Sequence, residues 1–191
     1  MKKKRQPLDD NELAILAQTG DVSAFEEIYD RHVSGIARAL ASFVGPDRDA
    51  LDDLTQEVFF RVIDGMGSYV PRHPFSHWLY TIALNVGRNH ARQQSKLVVL
   101  DPSEFDDISK GRGEAVTWPN ELIEVTLMRL AARLPDPMRE VVSLRVGSGM
   151  SYGEIAEVLG VPEGTARRRM HDAVAILRSQ LAPPVDKKET K

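Results

Sequence analysis

Apolar residues recur along this chain at three- and four-residue steps, the period of an amphipathic helix, and nowhere alternate as they would in a strand. Leu13, Ile15, Leu16 and Ala17 predict a short helix ending near Gly20. Phe25, Ile28, Tyr29, His32, Ile36, Leu40 and Phe43 predict a longer one that starts near Asp21 or Ser23 and stops at Gly45-Pro46. Leu51, Leu54, Val58, Val62 and Met66 make the stripe of a third, from about Asp49 to Met66. After the breaker-rich loop Gly67–Pro74, a fourth runs from about Phe75 to Gln94 with Phe75, Trp78, Leu79, Ile82, Ala83 and Val86 inward. Periodicity then lapses from Leu97 to about Pro119. It resumes with Leu122, Val125, Leu127, Leu130 and Leu134, is broken at Pro135-Asp-Pro137, and returns with Met138, Val141, Val142, Leu144 and Val146 up to Gly147-Ser-Gly149. The predicted fold class is all-α: two small helical domains, each with its own core, joined by a flexible acidic linker. The boundaries are 1–96, a linker at 97–119, 120–182, and a tail at 183–191, with residues 1–8 as a basic arm.

The last quarter carries the sharpest local signal. Ser151 is a good N-cap, and Glu154 three residues later completes a capping box. Ile155, Ala156 and Leu159 give an inward stripe, and Gly160 stands where the chain must turn left-handed to leave the helix. Pro162 suits the first turn of a following helix. In that helix Ala166, Met170, Ala173 or Val174, and Leu177 supply a buried face, leaving Glu163, Arg167, Arg168, His171 and Asp172 near the exposed side. This is the layout of a helix-turn-helix, whose second helix enters the major groove of DNA with its N-terminal half. A helical hairpin with a solvated arginine cluster is the plainer alternative.

Charge sharpens the picture more by position than by sum. The 191 residues carry a formal net charge of only −3, which is unusual for a nucleic-acid binder. Between Val70 and Leu100, however, there is no carboxylate, while Arg72, Arg88, Arg92 and Lys96 are present with three histidines. Asp101, Glu104, Asp106, Asp107 and Glu114 follow directly. A basic block and then an acidic stretch point to local phosphate contact. Asn85 and Asn89 share a helix face with Arg92 and Lys96, next to a loop with aromatic and basic side chains. Rings that stack, cations that hold phosphates and amides that read base edges suit single-stranded DNA, although Trp78 belongs to the core side. In Asp52–Val62, Leu54, Val58 and Val62 face inward, which leaves Asp53, Gln56, Glu57 and Arg61 elsewhere and Phe59 or Phe60 partly exposed. That face reads as a protein-docking surface or as ordinary solvated helix.

Other classes are disfavoured. The absence of cysteine removes disulfides, thiolate catalysis and cysteine zinc sites. No apolar run approaches the ~20 residues of a membrane span, and no signal peptide is visible, so a cytoplasmic protein without membrane partners is expected. No nucleophile–base pair or phosphate loop appears. Histidines stand at 32, 73, 77, 90 and 171; Pro74 separates His73 from His77 and the sequence shows no third ligand. No metal or other cofactor is therefore expected.

Five motifs in fixed order carry a resemblance. They are Asp53-Leu-x-Gln-Glu-Val-Phe59, Phe75-x-x-Trp-Leu-Tyr-x-Ile-Ala-x-Asn85, Leu134-Pro with Arg139-Glu-Val, Ser151-Tyr-x-Glu-Ile-Ala, and Pro162-x-Gly-Thr165. From about Leu13 to Leu181 the chain resembles the extracytoplasmic-function (ECF, group IV) sigma factors of bacterial RNA polymerase. The resemblance implies a non-enzymatic transcription initiation factor made of the domains called sigma-2 and sigma-4. It implies that Asp53, Gln56, Glu57 and Phe59 dock on the β′ clamp helices of core polymerase, and that sigma-4 meets the β flap. It implies that Tyr69, Arg72, His73 and Phe75 of the loop, with Asn85, Arg88, Asn89 and Arg92, capture and read the melted −10 strand. Gly164, Thr165, Arg167, Arg168, Arg169 and His171 match the segment that reads the −35 element. An anti-sigma factor is a further partner that the family implies. The chain departs from the family's pattern at Asp172 and Val174, where cations are common, and at Arg72-His73-Pro74, where small residues are. Arg169 could instead pair with Glu140 or Glu157. A stand-alone helix-turn-helix regulator is the rival reading; it gives the Asp53–Val62 motif and the 69–75 loop no task.

Overall fold

The computed structural model describes residues 8–45, 47–97 and 130–181. The basic arm, the acidic linker, most of the helix expected from Asn120 and the tail lie outside the described residues. Among those described, every regular element is helical.

Helix α1 spans Asp10–Gln18, capped by an Asp9–Glu12 capping box. Leu13 and Ala14 are its buried residues, whereas Ile15 and Leu16 are exposed. Helix α2, Val22–Val44, starts at the Asp21 cap and ends at Gly45 as the sequence predicts. Helix α3 is Arg48–Met66, with the Asp47 side chain accepting the Ala50 N–H. Helix α4, Phe75–Leu97, runs three residues past its predicted end. Ile28, Ile36, Leu40, Val58, Val62, Leu79 and Leu84 meet between these helices, all essentially buried. Each contributes about 1.5–3 kcal/mol of transfer free energy.

Helix α1 is clamped from the side by charge. Asp10 Oδ2 lies 2.7 Å from His32 Nε2 and its Oδ1 accepts from Arg31 at 2.8 Å. The His32 hydrogen bond, above all, holds the Asp10 carboxyl down at about 2, despite its partial burial. A carboxylate depressed in the folded state stabilises fully above its unfolded value and loses that contribution as pH falls. The stabilisation should therefore drain away between about pH 4 and about pH 2. Acid unfolding of Asp10→Asn should show a flatter limb in that window than the parent chain does.

The C-terminal part begins in the described residues at Leu130. Helix α5, Asp136–Val142, runs straight into a π-helical turn, Ser143–Gly147. Helix α6, Tyr152–Leu159, and helix α7, Glu163–Leu181, complete it. The Ser151–Glu154 capping box forms, and Gly160 takes the left-handed conformation (φ 64°, ψ 36°) that a side chain would resist. Pro162 stands just before α7 and its carbonyl accepts the Thr165 N–H at 2.9 Å. The predicted helix-turn-helix is thus present, with Ala166, Ala173 and Leu177 buried and Met170 partly so.

The sequence predicts two separate cores; the structure joins the halves instead. Val141, Leu144, Met150, Ile155 and Ala166 merge with the core built by α1–α4. Among the described residues, Ala131, Leu134, Val142, Ala173 and Leu177 form a separate, smaller cluster. The physical reason is a seam of small residues. Gly147 packs on α2 so closely that an added Cβ would stand 2.8 Å from the backbone N and Cα of Ala39. Ser143 Oγ donates to the Ala39 carbonyl at 2.7 Å, and Arg38 donates to the Gly147 carbonyl at 3.3 Å. Small side chains let two helical backbones approach until polar groups of one satisfy those of the other.

Candidate nucleic-acid and protein interfaces

Three surfaces follow from this architecture. The first is on α3. Its inward stripe leaves Asp52, Asp53, Gln56, Phe60, Ile63 and Asp64 exposed. Glu57 is half-buried and accepts from Arg61 at 2.5 Å. Phe59 is not on this surface: it is 4% exposed and its ring packs at a tilt against Tyr29, 4.6 Å between centroids. Phe60, 64% exposed, presents the ring instead. The stripe continues past the motif through Ile63 to a groove of about 300 Å³ lined by Ala17, Val22, Phe25 and Met66. Val22 and Ile63 are both more than half exposed, an apolar margin that the sequence reading missed. Their signal is present as apolar residues off the inward stripe.

The second surface is α4 with the loop before it. Asn85, Asn89 and Arg92 are exposed in one strip, as expected. The loop is braced by polar residues of α1 that sequence reasoning passed over. Asn11 Oδ1 accepts from the Tyr69 hydroxyl at 2.8 Å and from the Phe75 N–H at 2.7 Å. Gln18 Nε2 donates to the carbonyls of Met66 and Tyr69 at 2.8 and 2.7 Å. Tyr69, Phe75 and Trp78 pack edge and face around each other at 5.3–5.5 Å. Tyr69 and Phe75, expected as base-capturing rings, are therefore buried, 6% and 1% exposed. They form the floor on which the exposed Val70, Arg72 and His73 sit.

This second surface is also where the C-terminal half arrives. Arg88 Nε donates to Glu140 Oε1 at 2.6 Å and its Nη1 to Asn85 Oδ1 at 3.1 Å. The Glu140 hydrogen bond raises the Arg88 pKa further above its ordinary value. Glu157 of α6 reaches the loop, its Oε2 standing 3.6 Å from His73 Nδ1. Neither Glu140 nor Glu157 pairs with Arg169, so the structural role considered for that residue does not form.

The third surface is the start of α7. The Arg168 and His171 side chains are 86% and 84% exposed, and Gly164 is exposed beside them. Arg167 is held: it donates twice to Glu163, at 2.6 and 3.0 Å, and lies over the Tyr152 ring at 4.8 Å. Arg169 and Thr165 are half-buried. Asp172 stands 3.8 Å from Arg168 and 3.4 Å from His171, a carboxylate set among the cations. The arrangement presents a short cationic helix start beyond a tight turn, sized for a groove of duplex DNA.

Comparison with known proteins agrees with this geometry. The "Sigma-70 region 2" family model matches residues 27–97, and "Sigma-70, region 4" matches residues 124–177. The chain is 27% identical to the ECF RNA polymerase sigma-E factor of Haemophilus influenzae, over 93% of this chain and 98% of that protein. The solved structure of CnrH in complex with the cytosolic domain of CnrY superposes with a TM-score of 0.68 at 27% identity, covering 90% of this chain and 96% of that one. The sigma factor RpoE of Bartonella quintana, solved with the anti-sigma factor NepR, is 22% identical with a TM-score of 0.61 over 87% of this chain and all of the other, and shares the fold.

Proposed function

The chain belongs to the ECF branch of the sigma-70 family, and from that premise we propose how its surfaces divide the work of transcription initiation. As a sigma factor it is not an enzyme: it binds core RNA polymerase and promoter DNA. Residues 1–96 form the unit that docks on the polymerase β′ clamp helices through Asp53, Gln56, Glu57 and the exposed Phe60, with Ile63 and Val22 widening the apolar contact. The strip of Asn85, Arg88, Asn89 and Arg92, with Arg72 and His73 of the loop, reads the melted −10 strand. Residues 120–182 read the −35 duplex through Gly164, Arg167, Arg168 and His171, with sigma-4 against the β flap. Melting needs no fuel, because capture of an extruded base offsets the few kcal/mol of unstacking. The work is done in the cytoplasm, beside the polymerase, and an anti-sigma factor is a further partner.

The observation that carries this reading is the exposed cationic start of α7 directly after the Gly160 turn, in a chain that also bears an open acidic–aromatic face on α3. The closed arrangement adds a condition. Arg88 and His73 face carboxylates of the other half, so their share of the −10 surface becomes fully available only when the halves part. Free protein should accordingly bind DNA weakly.

Run-off transcription with core polymerase on fragments of the source genome tests the proposal. New discrete start sites should appear with the protein. They should fall at least about tenfold on Arg168→Ala, in line with the ~1–3 kcal/mol of a base contact, and on Asp53→Arg. No new starts, together with tight duplex binding by the free protein, would instead make it a stand-alone regulator.

A further inference from the structure

The two halves meet at a group of side chains of which two, His77 and Glu157, have no part in the proposed promoter recognition. His77, on the first turn of α4, is 6% exposed, and neither of its ring nitrogens makes a hydrogen bond. Buried polar atoms almost always have well-aligned partners, and a buried ring that meets carboxylates only out of hydrogen-bond alignment asks for an explanation. Glu157 Oε2, from α6 of the other half, stands 3.3 Å from His77 Nδ1 and 3.6 Å from His73 Nδ1. One ligand atom from each of His73, His77 and Glu157 lies within 4.8 Å of the other two.

We propose that His73, His77 and Glu157 form a binding site for a divalent transition metal ion, zinc-like in its preferences, that ties the C-terminal half to the loop and first turn of α4. Two imidazoles and one carboxylate are a set that such ions take with a fourth position left for water. Bonds of about 2.0–2.1 Å in tetrahedral geometry put neighbouring donors about 3.3 Å apart. The separations on either side of Glu157 are already close to that edge length. His73 and Glu157 are exposed and free to settle the remaining tenths of an ångström, while His77 is fixed by packing. A metal-bound imidazole commonly gives its other ring N–H to a carboxylate. Glu154 Oε1 stands 3.9 Å from His77 Nε2, on that side. The cavity beside the group, about 250 Å³ between Val70 and Val158, has room for the water ligand.

Because the donors come from both halves, the ion is bound only when the halves are together, and binding to one arrangement shifts the balance towards it. The proposed consequence is a metal-stabilised closed state with His73 withdrawn from the promoter. That last step alone rests on the sigma reading.

Metal-free, full-length protein titrated with zinc chloride against a chromophoric chelator tests the site without polymerase or DNA. One equivalent should bind, and His73→Ala and Glu157→Gln should each weaken it at least about tenfold. Both positions are exposed, so these variants keep the core that His77→Ala could disturb. No stoichiometric binding, or binding unchanged in both variants, overturns the site. Since the chain has no cysteine, dyes on single cysteines introduced at Asp64 and Arg178 report the approach of the halves. Zinc should narrow that distance distribution in the parent and leave it unchanged in Glu157→Gln. A parent distribution indifferent to zinc would overturn the tie between the halves even where the ion binds.

Discussion

Gly147→Ala should open the molecule. The added Cβ would lie 2.8 Å from the Ala39 backbone, in the middle of α2, where nothing can give way. Gly147 sits in a helical turn, so alanine suits its local conformation and the effect is confined to the seam. Overpacking of this kind costs about 1–3 kcal/mol. Spent at a contact between two halves, each ~1.4 kcal/mol multiplies the open population about tenfold. The Ser143–Ala39 and Arg38–Gly147 hydrogen bonds would go with it. Small-angle scattering should record a larger radius of gyration, circular dichroism an unchanged helix content, and the free protein should bind a single-stranded −10 oligonucleotide about tenfold more tightly. Unchanged dimensions and affinity would show that the seam does not hold the halves together.

Phe75→Ala should be the most damaging single truncation in the loop region, and its damage should be to stability. Phe75 is 1% exposed, its ring packs on Tyr69 and Trp78, and its N–H is held by Asn11. Removing such a ring costs about 3–5 kcal/mol, which for a chain of this size lowers Tm by about 10 °C. At a temperature where the variant is folded, its preference among −10 sequences should match the parent's. Arg72→Ala and Asn89→Ala should behave the other way, with Tm nearly constant and −10 recognition impaired. Loss of −10 preference in a Phe75→Ala protein of undiminished Tm would return the ring to the role of base capture.

These two residues also show where a sequence can be read and where it cannot. Helix starts are legible at Asp21 and at Ser151 with Glu154 because their determinants are local, and the Asp9–Glu12 box and the Asp47 cap, which the sequence reading passed over, likewise satisfy N–H groups within one turn. The cationic start of α7 was legible for the same reason. Periodicity placed Phe75 inward, yet the motif it belongs to suggested an outward task, and packing against Tyr69 and Trp78 decides for the first. Phe59 and Phe60 are adjacent and differ by one step of helix rotation, so only the position of Tyr29 on another helix tells which is buried. Least legible was the seam. Ala39, Ser143 and Gly147 are unremarkable in their own helices, and nothing local announces that residues 104 positions apart share a hydrogen bond. His73 and His77 lacked a visible third donor because Glu157 is supplied by tertiary structure.

The pairing of Arg88 with Glu140 has a consequence for how the protein searches a genome. A carboxylate occupying the guanidinium is an internal stand-in for a phosphate, always present at fixed proximity. Under the proposed −10 role of Arg88, any strand must displace it, and affinity for DNA is then the intrinsic affinity scaled by the fraction of molecules in which the pair is broken. The vast excess of non-specific sites, which would otherwise sequester a cationic surface, is discounted by that factor everywhere alike. A partner that pulls the halves apart lifts the discount locally, at the moment the chain is already assembled for initiation.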